Sequence, residues 1–252
     1  MIFARRRYGT DNYCYLLAEG GDAALVDPGD PAAALALAAM HGVRPRFVLH
    51  THGHPDHSGG SAALRQRLEA RVFGHGGDAA WFAPDQFLAG GPLRLGAIEL
   101  RVHLAPGHTP GSVLFEWKGR LLTGDTLFWG GAGNCRQGGD PGVLADSFLS
   151  VLSGLGASLE VHPGHDYAEA NLPFVLDLEP GNAAAAARLA AARASQGAGR
   201  EPEAPSLAEE RLANPFLRAG SNEVAAALAR KGVVVAGPRD AFLALRRLRD
   251  SW

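Results

Sequence analysis

The sequence predicts an α/β domain built of layered sheets and helices, followed by a small all-α lobe. Strand and helix patterns alternate over about the first two thirds of the chain, and only helix patterns follow. The chain has 252 residues, of which 46% are hydrophobic, and this is enough for a large buried core. We therefore expect one domain over residues 1–170 and a helical lobe over residues 171–252.

The first two predicted strands form a hairpin. Residues 13–17 and 23–26 are short apolar runs, and the Glu-Gly-Gly-Asp sequence at 19–22 between them is typical of a turn. A helix is predicted next, because Asp30 suits an N-cap and Pro31 suits the first helical position.

The next apolar run, Phe47–Leu49, predicts a buried strand that leads directly into a histidine-rich motif. Ser58 is predicted to cap the following helix, because apolar residues recur beyond it at roughly helical spacing. Further strands are predicted at 98–104, 112–117 and 120–123. The first and last of these runs end just before candidate ligands, so we expect the ligands on loops along one edge of the sheets.

The C-terminal part of the chain carries helix signals only. Asn182 is a suitable N-cap for a long alanine-rich helix, and residues 199–205 have the composition of a linker. Ser206 and Glu209 match a capping box for the next helix. The last two predicted helices cover residues 222–231 and 239–249.

Five of the ten histidines fall in three short segments, at 51–57, 106–109 and 163–166. The first segment contains His-x-His-x-Asp-His, which places four potential metal ligands within six residues. An aspartate in the segment 123–126 completes the set. The candidate ligands are His52, His54, Asp56, His57, His108, Asp125 and His165.

Seven ligands are too many for one tetrahedral ion. They suit two ions that share a bridging group, an arrangement that makes a strong nucleophile from water near neutral pH. For Asp125 taken alone, a turn or cap role is about as plausible, and its association with the histidine motifs favours a ligand. The other histidines are interpreted as packed or surface residues: His41, His50, His75, His103 and His162.

The bulk properties exclude several classes of function. A formal net charge of -2 gives no basic surface for nucleic acid. Two cysteines, Cys14 and Cys135, argue against a disulfide framework and indicate a reducing compartment. No apolar run approaches the roughly 20 residues that span a bilayer, and a secretory signal is not apparent. We expect a cytoplasmic protein without nucleic-acid or membrane partners; the sequence does not define the oligomeric state, and a monomer is favoured.

The metal motifs and their order resemble those of the metallo-β-lactamase superfamily. They are the histidine motif 52–57 after an apolar strand, Gly-His-Thr at 107–109, Thr-Gly-Asp-Thr-Leu-Phe at 123–128 and Gly-His-Asp-Tyr at 164–167. Within the superfamily the chain is similar to glyoxalase II, the hydroxyacylglutathione hydrolases. The stretches that favour this branch are 178–182, 205–210, 214–216 and 246–250, so the resemblance covers almost the whole chain.

The resemblance implies an αββα sandwich with a two-metal site, followed by the helical lobe. By residue-wise match, one ion would be held by His52, His54 and His108, the other by Asp56, His57 and His165, with Asp125 as the bridge. Zinc is the expected metal, with iron or manganese as alternatives. Asp27 matches a position expected to support the ligand loop, although a turn or cap role is equally consistent with the sequence.

The activity that this resemblance implies is hydrolysis of S-D-lactoylglutathione, or another S-2-hydroxyacylglutathione, to glutathione and a 2-hydroxy acid. A metal-bridging hydroxide would attack the thioester, and Asp56 and Asp125 would be the catalytic residues. The substrate is therefore a small molecule. Because a thiolate is a good leaving group, little acid assistance is required.

Residues that would bind glutathione match the family unevenly. Tyr167, Arg246 and Arg249 occupy positions that contact glutathione in the family, although a lysine is usual at 249. In the 131–138 loop the usual basic residue is replaced by Asn134 and the usual aromatic by Arg136. Arg136 is therefore a candidate displaced cation for glutathione, and a different thioester is the alternative substrate.

Two other functions are compatible with the motifs. Persulfide dioxygenases resemble the chain in the metal motifs but hold a single iron on the equivalents of His52, His108 and Asp125; their shorter C-terminal region argues against this function. A non-catalytic binding protein that keeps the fold is disfavoured, because every ligand position holds a competent side chain.

Overall fold

Two mixed β-sheets pack face to face in the computed structural model, which describes residues 1–252. The strands are β1 (Ile2–Tyr8), β2 (Asn12–Glu19), β3 (Asp22–Val26), β4 (Phe47–Leu49), β5 (Arg71–His75), β6 (Gln86–Leu88), β7 (Gly91–Leu95), β8 (Ile98–Leu104), β9 (Val113–Trp117), β10 (Arg120–Gly124), β11 (Leu127–Phe128), β12 (Gly131–Ala132) and β13 (Glu160–Pro163). One sheet has the order β1-β2-β3-β4-β5-β6, the other β13-β10-β9-β8-β7, and β11 pairs with β12.

Helices cover the outer faces of both sheets and form the C-terminal lobe. They are α1 (Pro31–Met40), α2 (Pro55–Ser58), α3 (Ser61–Leu68), α4 (Pro141–Ser150), α5 (Ala168–Leu178), α6 (Ala183–Gly197), α7 (Leu207–Ala213), α8 (Asn222–Arg230) and α9 (Pro238–Ser251). None of them combines the length and apolar composition that crossing a bilayer requires. The predicted αββα sandwich with a helical C-terminal region is confirmed.

The alternation of side chains along β2 shows how the layers form. Successive side chains of a strand point to opposite faces of its sheet. Tyr15 and Leu17 therefore pack against the second sheet, in a core cluster with Phe115 of β9. Leu16 points the other way and joins Leu37 of α1 in the outer layer.

A third and larger core cluster joins the second sheet to the helical lobe. It contains Leu121 of β10, Phe148 of α4, Leu172 of α5 and Phe242 of α9. Because these residues form one continuous apolar cluster, the lobe is packed onto the sheet rather than tethered beside it.

Several local predictions are confirmed. Strands β2 and β3 pair as an antiparallel hairpin. The Asp30 carboxylate accepts from the backbone N–H groups at the start of α1, and the Asn182 side chain does the same for α6. Both halves of the Ser206–Glu209 capping box are present at α7. Residues 200–205 contain no helix or strand, as expected of a linker.

The predicted cap at Ser58 is wrong. Ser58 is the last residue of α2, and its hydroxyl donates to the Gly53 carbonyl oxygen at 2.9 Å. Helix α3 begins three residues later, at Ser61, without a side-chain cap. The polar turn that follows the histidine motif therefore stabilises the motif rather than the helix.

Some elements were not predicted from apolar runs: β1, β5, β6, β7, β13 and α4. Strand β1 contains Arg5, Arg6 and Arg7, whose charges hide the strand pattern. The Arg5 guanidinium lies 5.0 Å from the Tyr13 ring centroid, so the aromatic neighbour accommodates the cation. Helix α5 begins at Ala168 and crosses the expected boundary after residue 170, so the division of the chain at that residue stays a prediction.

A buried carboxyl group links the lobe to the loop after β11. Glu210 of α7 is fully buried, and its Oε2 accepts from the Gly130 N–H at 3.0 Å and from Asn214 Nδ2 at 3.4 Å. Its Oε1 has no hydrogen-bond partner. Burial raises the pKa of Glu210 to about 7 despite these donors.

We predict that Glu210→Gln alters the pH dependence of stability. The folded-state pKa lies above the unfolded value, so the stability that Glu210 contributes is full below about pH 4.5 and is lost as the pH rises through 7. Glutamine mimics the protonated form. Denaturant unfolding measures this effect. Between pH 4 and pH 8, the free energy of unfolding of the variant should rise by roughly 3 kcal/mol relative to that of wild type. Parallel pH profiles for the two proteins would contradict this prediction.

Candidate metal centre

The seven predicted ligands meet at one edge of the sandwich, on loops that follow four strands. The loop after β4 and the short helix α2 carry four of them, and the loops after β8, β10 and β13 carry the others, one each: His52, His54, Asp56, His57, His108, Asp125 and His165. All are buried except Asp56, whose side chain is 48% exposed. The expected position of the seven candidate ligands along one rim is confirmed.

The first group of side chains consists of His52, His54 and His108. One nitrogen of each lies within 4.8 Å of the others. His108 Nε2 lies 3.1 Å from His54 Nδ1, so two ring nitrogens face the same point.

The second group consists of Asp56, His57 and His165. His57 Nε2 lies 3.1 Å from His165 Nε2, and Asp56 Oδ2 lies 3.3 Å from His165 Nε2 and 3.6 Å from His57 Nε2. Two imidazoles and one carboxylate thus converge beside the first group.

Asp125 lies between the two groups. Its Oδ1 is 3.4 Å from His57 Nε2, and its Oδ2 is 3.4 Å from His165 Nε2, both in the second group. The same Oδ2 is 3.6 Å from His108 Nε2 and 4.0 Å from His52 Nε2, both in the first group. One carboxylate therefore faces both groups, which is the position that a bridging ligand needs.

The outer nitrogens of three histidines fix the direction of their inner nitrogens. His54 Nε2 contacts the Gln137 carbonyl oxygen at 3.0 Å, and His108 Nδ1 contacts the Asn134 carbonyl oxygen at 2.6 Å. His165 Nδ1 contacts the Asp11 carboxylate at 2.6 Å. Since these oxygens only accept, each outer nitrogen must carry the proton. A neutral ring then presents its lone pair to the centre, as a metal-ligating histidine does.

The donor set fits divalent metal ions. Tetrahedral zinc with Zn–N distances of about 2.0–2.1 Å separates neighbouring ligand atoms by about 3.3 Å, and most of the contacts above are 3.1–3.6 Å. His52 Nε2 and Asp125 Oδ1 are buried and have no hydrogen-bond partner in the protein. Buried polar atoms are rarely left unpaired, so a cation is the expected partner of both.

The pKa values of histidines shift in opposite directions in the two groups, and both shifts are consistent with bound cations. Burial and the neighbouring imidazoles lower the pKa of His52 well below its usual value, so its ring stays neutral and free to ligate. Burial opposes the charged form of His165 too, but Asp125, Asp56 and Asp11 outweigh it and raise the pKa of His165 to about 11. The carboxylates thus favour positive charge at the second group.

Asp27 supports the ligand loop and does not cap α1. Its carboxylate accepts from the Thr51 N–H at 2.8 Å and from the Thr51 hydroxyl at 2.5 Å. Its Oδ2 lies 3.3 Å from His57 Nδ1. Asp27 has a positive φ of 50°, which is uncommon for a residue other than glycine. Burial opposes its ionisation, but His50 and His57 hold the pKa of Asp27 below its usual value.

Two supporting aspartates were missed by sequence reasoning. Asp11, in the turn between β1 and β2, contacts His165 as described above. Asp78 is fully buried and accepts from the Gly53 N–H at 2.7 Å, the Thr109 hydroxyl at 2.7 Å and the Gly111 N–H at 2.8 Å. It therefore joins the first ligand loop to the loop that contains His108. Neither aspartate belongs to a sequence motif that could have revealed it.

The histidines interpreted as packed or surface residues stay outside the groups of converging ligand atoms. His50 is buried and contacts the Ser61 hydroxyl at 2.6 Å. His162 is also buried, against Phe3 and Tyr15. His103 pairs with Glu116 at 2.8 Å.

A cavity of about 250 Å³ lies beside the second group, between the 131–138 loop and α9. The predicted substrate-binding residues Arg136, Tyr167, Arg246 and Arg249 all line it. The Tyr167 ring stacks on His165 with centroids 4.7 Å apart and planes 9° apart, which connects the cavity to the metal centre.

The three arginines differ in how far they are already engaged. Arg246 is buried, and its Nη1 donates to the carbonyl oxygens of Ala132 and Gly133 at 2.8 and 3.1 Å. Arg249 is half-buried and donates to Asn171 Oδ1 at 3.3 Å. Arg136 is exposed on 66% of its side chain. Arg249 and Arg136 thus remain the more accessible cations.

Two family models together match residues 7–252. The model of the metallo-beta-lactamase superfamily matches residues 7–165, and the model of the hydroxyacylglutathione hydrolase C-terminus matches residues 166–252. The chain is 65% identical over 253 residues to a hydroxyacylglutathione hydrolase of Anaeromyxobacter dehalogenans strain 2CP-C, and the match covers 99% of each chain.

Solved structures share the fold. ETHE1 from Myxococcus xanthus is 27% identical, with a TM-score of 0.69, and the match covers 100% of this chain and 99% of that one. TTHA1623 in a di-iron-bound form is 28% identical, with a TM-score of 0.62, over 86% of this chain and 100% of that one. Together with the family matches, these results show that the chain belongs to the hydroxyacylglutathione hydrolase, or glyoxalase II, family of the metallo-β-lactamase superfamily.

Proposed function

We propose that this protein hydrolyses S-2-hydroxyacylglutathione thioesters, such as S-D-lactoylglutathione, to glutathione and a 2-hydroxy acid. The observation that carries the proposal is the Asp125 carboxylate, which faces two converging groups of ligand atoms beside a cavity lined by cationic side chains. The relative from Anaeromyxobacter dehalogenans is itself named a hydroxyacylglutathione hydrolase.

The proposed cofactor is a pair of divalent metal ions, with zinc as the expected metal. His52, His54 and His108 would hold one ion, Asp56, His57 and His165 the other, and Asp125 would be shared. Bound ions supply a water of lowered pKa as the nucleophile and a Lewis acid for the thioester carbonyl. A two-metal centre is supported by the related TTHA1623, which has a di-iron-bound form.

The chain's own residues orient the reactants. Asp11 and the carbonyls of Asn134 and Gln137 hold the ligand rings, so the centre is ordered before substrate arrives. Tyr167, stacked on His165, offers a flat wall next to the reacting thioester. The departing thiolate needs no proton from the protein, because a thiol pKa of about 8.5 makes it a weak enough base to leave as the anion and take its proton from water afterwards.

Binding of the glutathionyl group is proposed to involve the cavity between the 131–138 loop and α9. A glutathione carboxylate in this cavity would meet Arg249, with Arg136 as a second cation at the exposed side. Arg136 would thus replace the basic residue that is usual where this chain has Asn134.

The direct test is release of free thiol from S-D-lactoylglutathione by zinc-loaded protein, with an equivalent lactoyl thioester that lacks the glutathione peptide as the comparison. The proposal predicts efficient cleavage of the first and much weaker cleavage of the second. Equal rates, no cleavage, or oxygen consumption with glutathione persulfide in an iron-loaded sample would each contradict it.

We predict that Asp125→Ala lowers kcat by more than about 100-fold. Loss of residues that only support metal ligands typically costs 10–100-fold, and a shared ligand is more directly involved. The bound metal should fall below the wild-type content when measured by elemental analysis. Asp177→Ala, at an exposed ion pair with Lys231, is the matched control and should leave both values unchanged. A near-normal rate and metal content in Asp125→Ala would disprove the shared-ligand assignment.

We predict that Arg249→Ala raises KM for S-D-lactoylglutathione by about tenfold with little change in kcat, because the arginine contacts a part of the substrate remote from the thioester. Steady-state kinetics measure both constants. Arg247→Ala is the matched control, since Arg247 lies on the same helix but is exposed. An unchanged KM in Arg249→Ala would mean that Arg249 is a surface residue of α9 that does not contact substrate.

A further inference from the structure

The 131–138 loop performs a second task besides lining the cavity. It supplies two carbonyl oxygens that accept hydrogen bonds from the metal centre. The Asn134 carbonyl accepts from His108 Nδ1 at 2.6 Å, and the Gln137 carbonyl accepts from His54 Nε2 at 3.0 Å. Both histidines belong to the first ligand group. The orientation of that group therefore depends on where this loop lies.

The loop lies directly against the backbone of the metal centre. The Gly133 N–H donates to the Thr126 carbonyl at 3.1 Å. A Cβ atom at Gly133 would collide with the Asp125 carbonyl oxygen, so only glycine permits this approach. Beyond Ala132 the loop contains no helix or strand up to Asp140, and it needs contacts from elsewhere to hold one position.

Arg246 of α9 provides such contacts at the start of the loop. Its Nη1 donates to the carbonyl oxygens of Ala132 and Gly133, and its Nη2 lies 2.8 Å from Asp250 Oδ1. The residue is only 5% exposed, and its guanidinium lies 5.5 Å from the Phe216 ring centroid. Both terminal nitrogens are therefore engaged within the protein, and the remaining nitrogen, Nε, is buried without a partner.

Asp250, one turn further along α9, makes a second contact with the loop. Arg136 Nη2 donates to the Asp250 carbonyl oxygen at 2.8 Å and lies 3.7 Å from the Asp250 carboxylate. Asp250 thus contacts the arginine that holds the loop at Ala132 and an arginine of the loop itself. Asn134, whose carbonyl oxygen accepts a hydrogen bond from His108, lies between these two contacts in the chain.

We propose that Arg246 is a positioning residue that acts on the first ligand group through the 131–138 loop, rather than a direct contact for glutathione. This inference rests on the proposed function for the identity of the ligands. In this proposal, α9 maintains the metal affinity of His52, His54 and His108 through Arg246. Arg249, one turn further along the helix, binds substrate.

The test is zinc affinity, measured by competition with a chromophoric chelator in the absence of substrate. Arg246→Met keeps the unbranched apolar part of the side chain but removes the guanidinium donors. We expect the zinc held by the first group to bind roughly tenfold more weakly, the lower end of the range for residues that support ligands. Asp250→Asn should weaken it in the same direction by about threefold, and it decides the test if Arg246→Met does not fold.

Arg249→Met is the matched variant on the same helix. It should keep wild-type zinc affinity and raise KM for S-D-lactoylglutathione. The proposal is overturned if folded Arg246→Met, or Asp250→Asn in its place, keeps wild-type zinc affinity and raises KM as Arg249→Met does. Because the zinc measurement needs no substrate, a zinc-binding protein without thioesterase activity would refute the proposed function and leave this test intact.

Discussion

The burial of the Asp125 carboxylate among imidazole nitrogens is the interaction on which the rest of the structure depends. A carboxylate removed from water is costly unless positive charge or donors surround it. Here His52, His57, His108 and His165 all lie within 4.0 Å of its oxygens. Those rings come from three different loops, so the carboxylate is satisfied only when the whole edge of the sandwich is assembled. Cations held by the two groups would be the missing partners of His52 Nε2 and Asp125 Oδ1.

The surrounding fold is arranged to hold these loops. Asp27 fixes Thr51 at the start of the first ligand loop, and Asp78 ties that loop to the one that contains His108. The helical lobe supports the other side. Glu210 accepts a hydrogen bond from the Gly130 N–H, and Asn214 donates to the carbonyl oxygens of Phe128 and Gly131. The lobe therefore serves the metal centre as well as the substrate cavity, which gives a physical reason for its extensive core with the second sheet.

The sequence predicted the parts of this arrangement that are encoded locally. Four ligands lie within one short motif, and the caps at Asp30, Asn182 and Ser206 depend on neighbours a few residues away. Supporting contacts join distant positions and leave no local pattern. Asp11 and His165 are 154 residues apart, for example, and no spacing rule connects them. Strand β1 was not predicted for another reason, because Arg5 and Arg7 pack on aromatic rings where apolar residues are usually expected.

Anomalous diffraction at the zinc edge, from crystals of zinc-loaded protein, would show directly whether Asp125 is shared between two bound ions. We expect two peaks, one among His52, His54 and His108 and the other among Asp56, His57 and His165, with the Asp125 carboxylate in contact with both. A single peak held by His52, His108 and Asp125, with the second group empty, would contradict the shared-carboxylate centre and the hydrolysis derived from it.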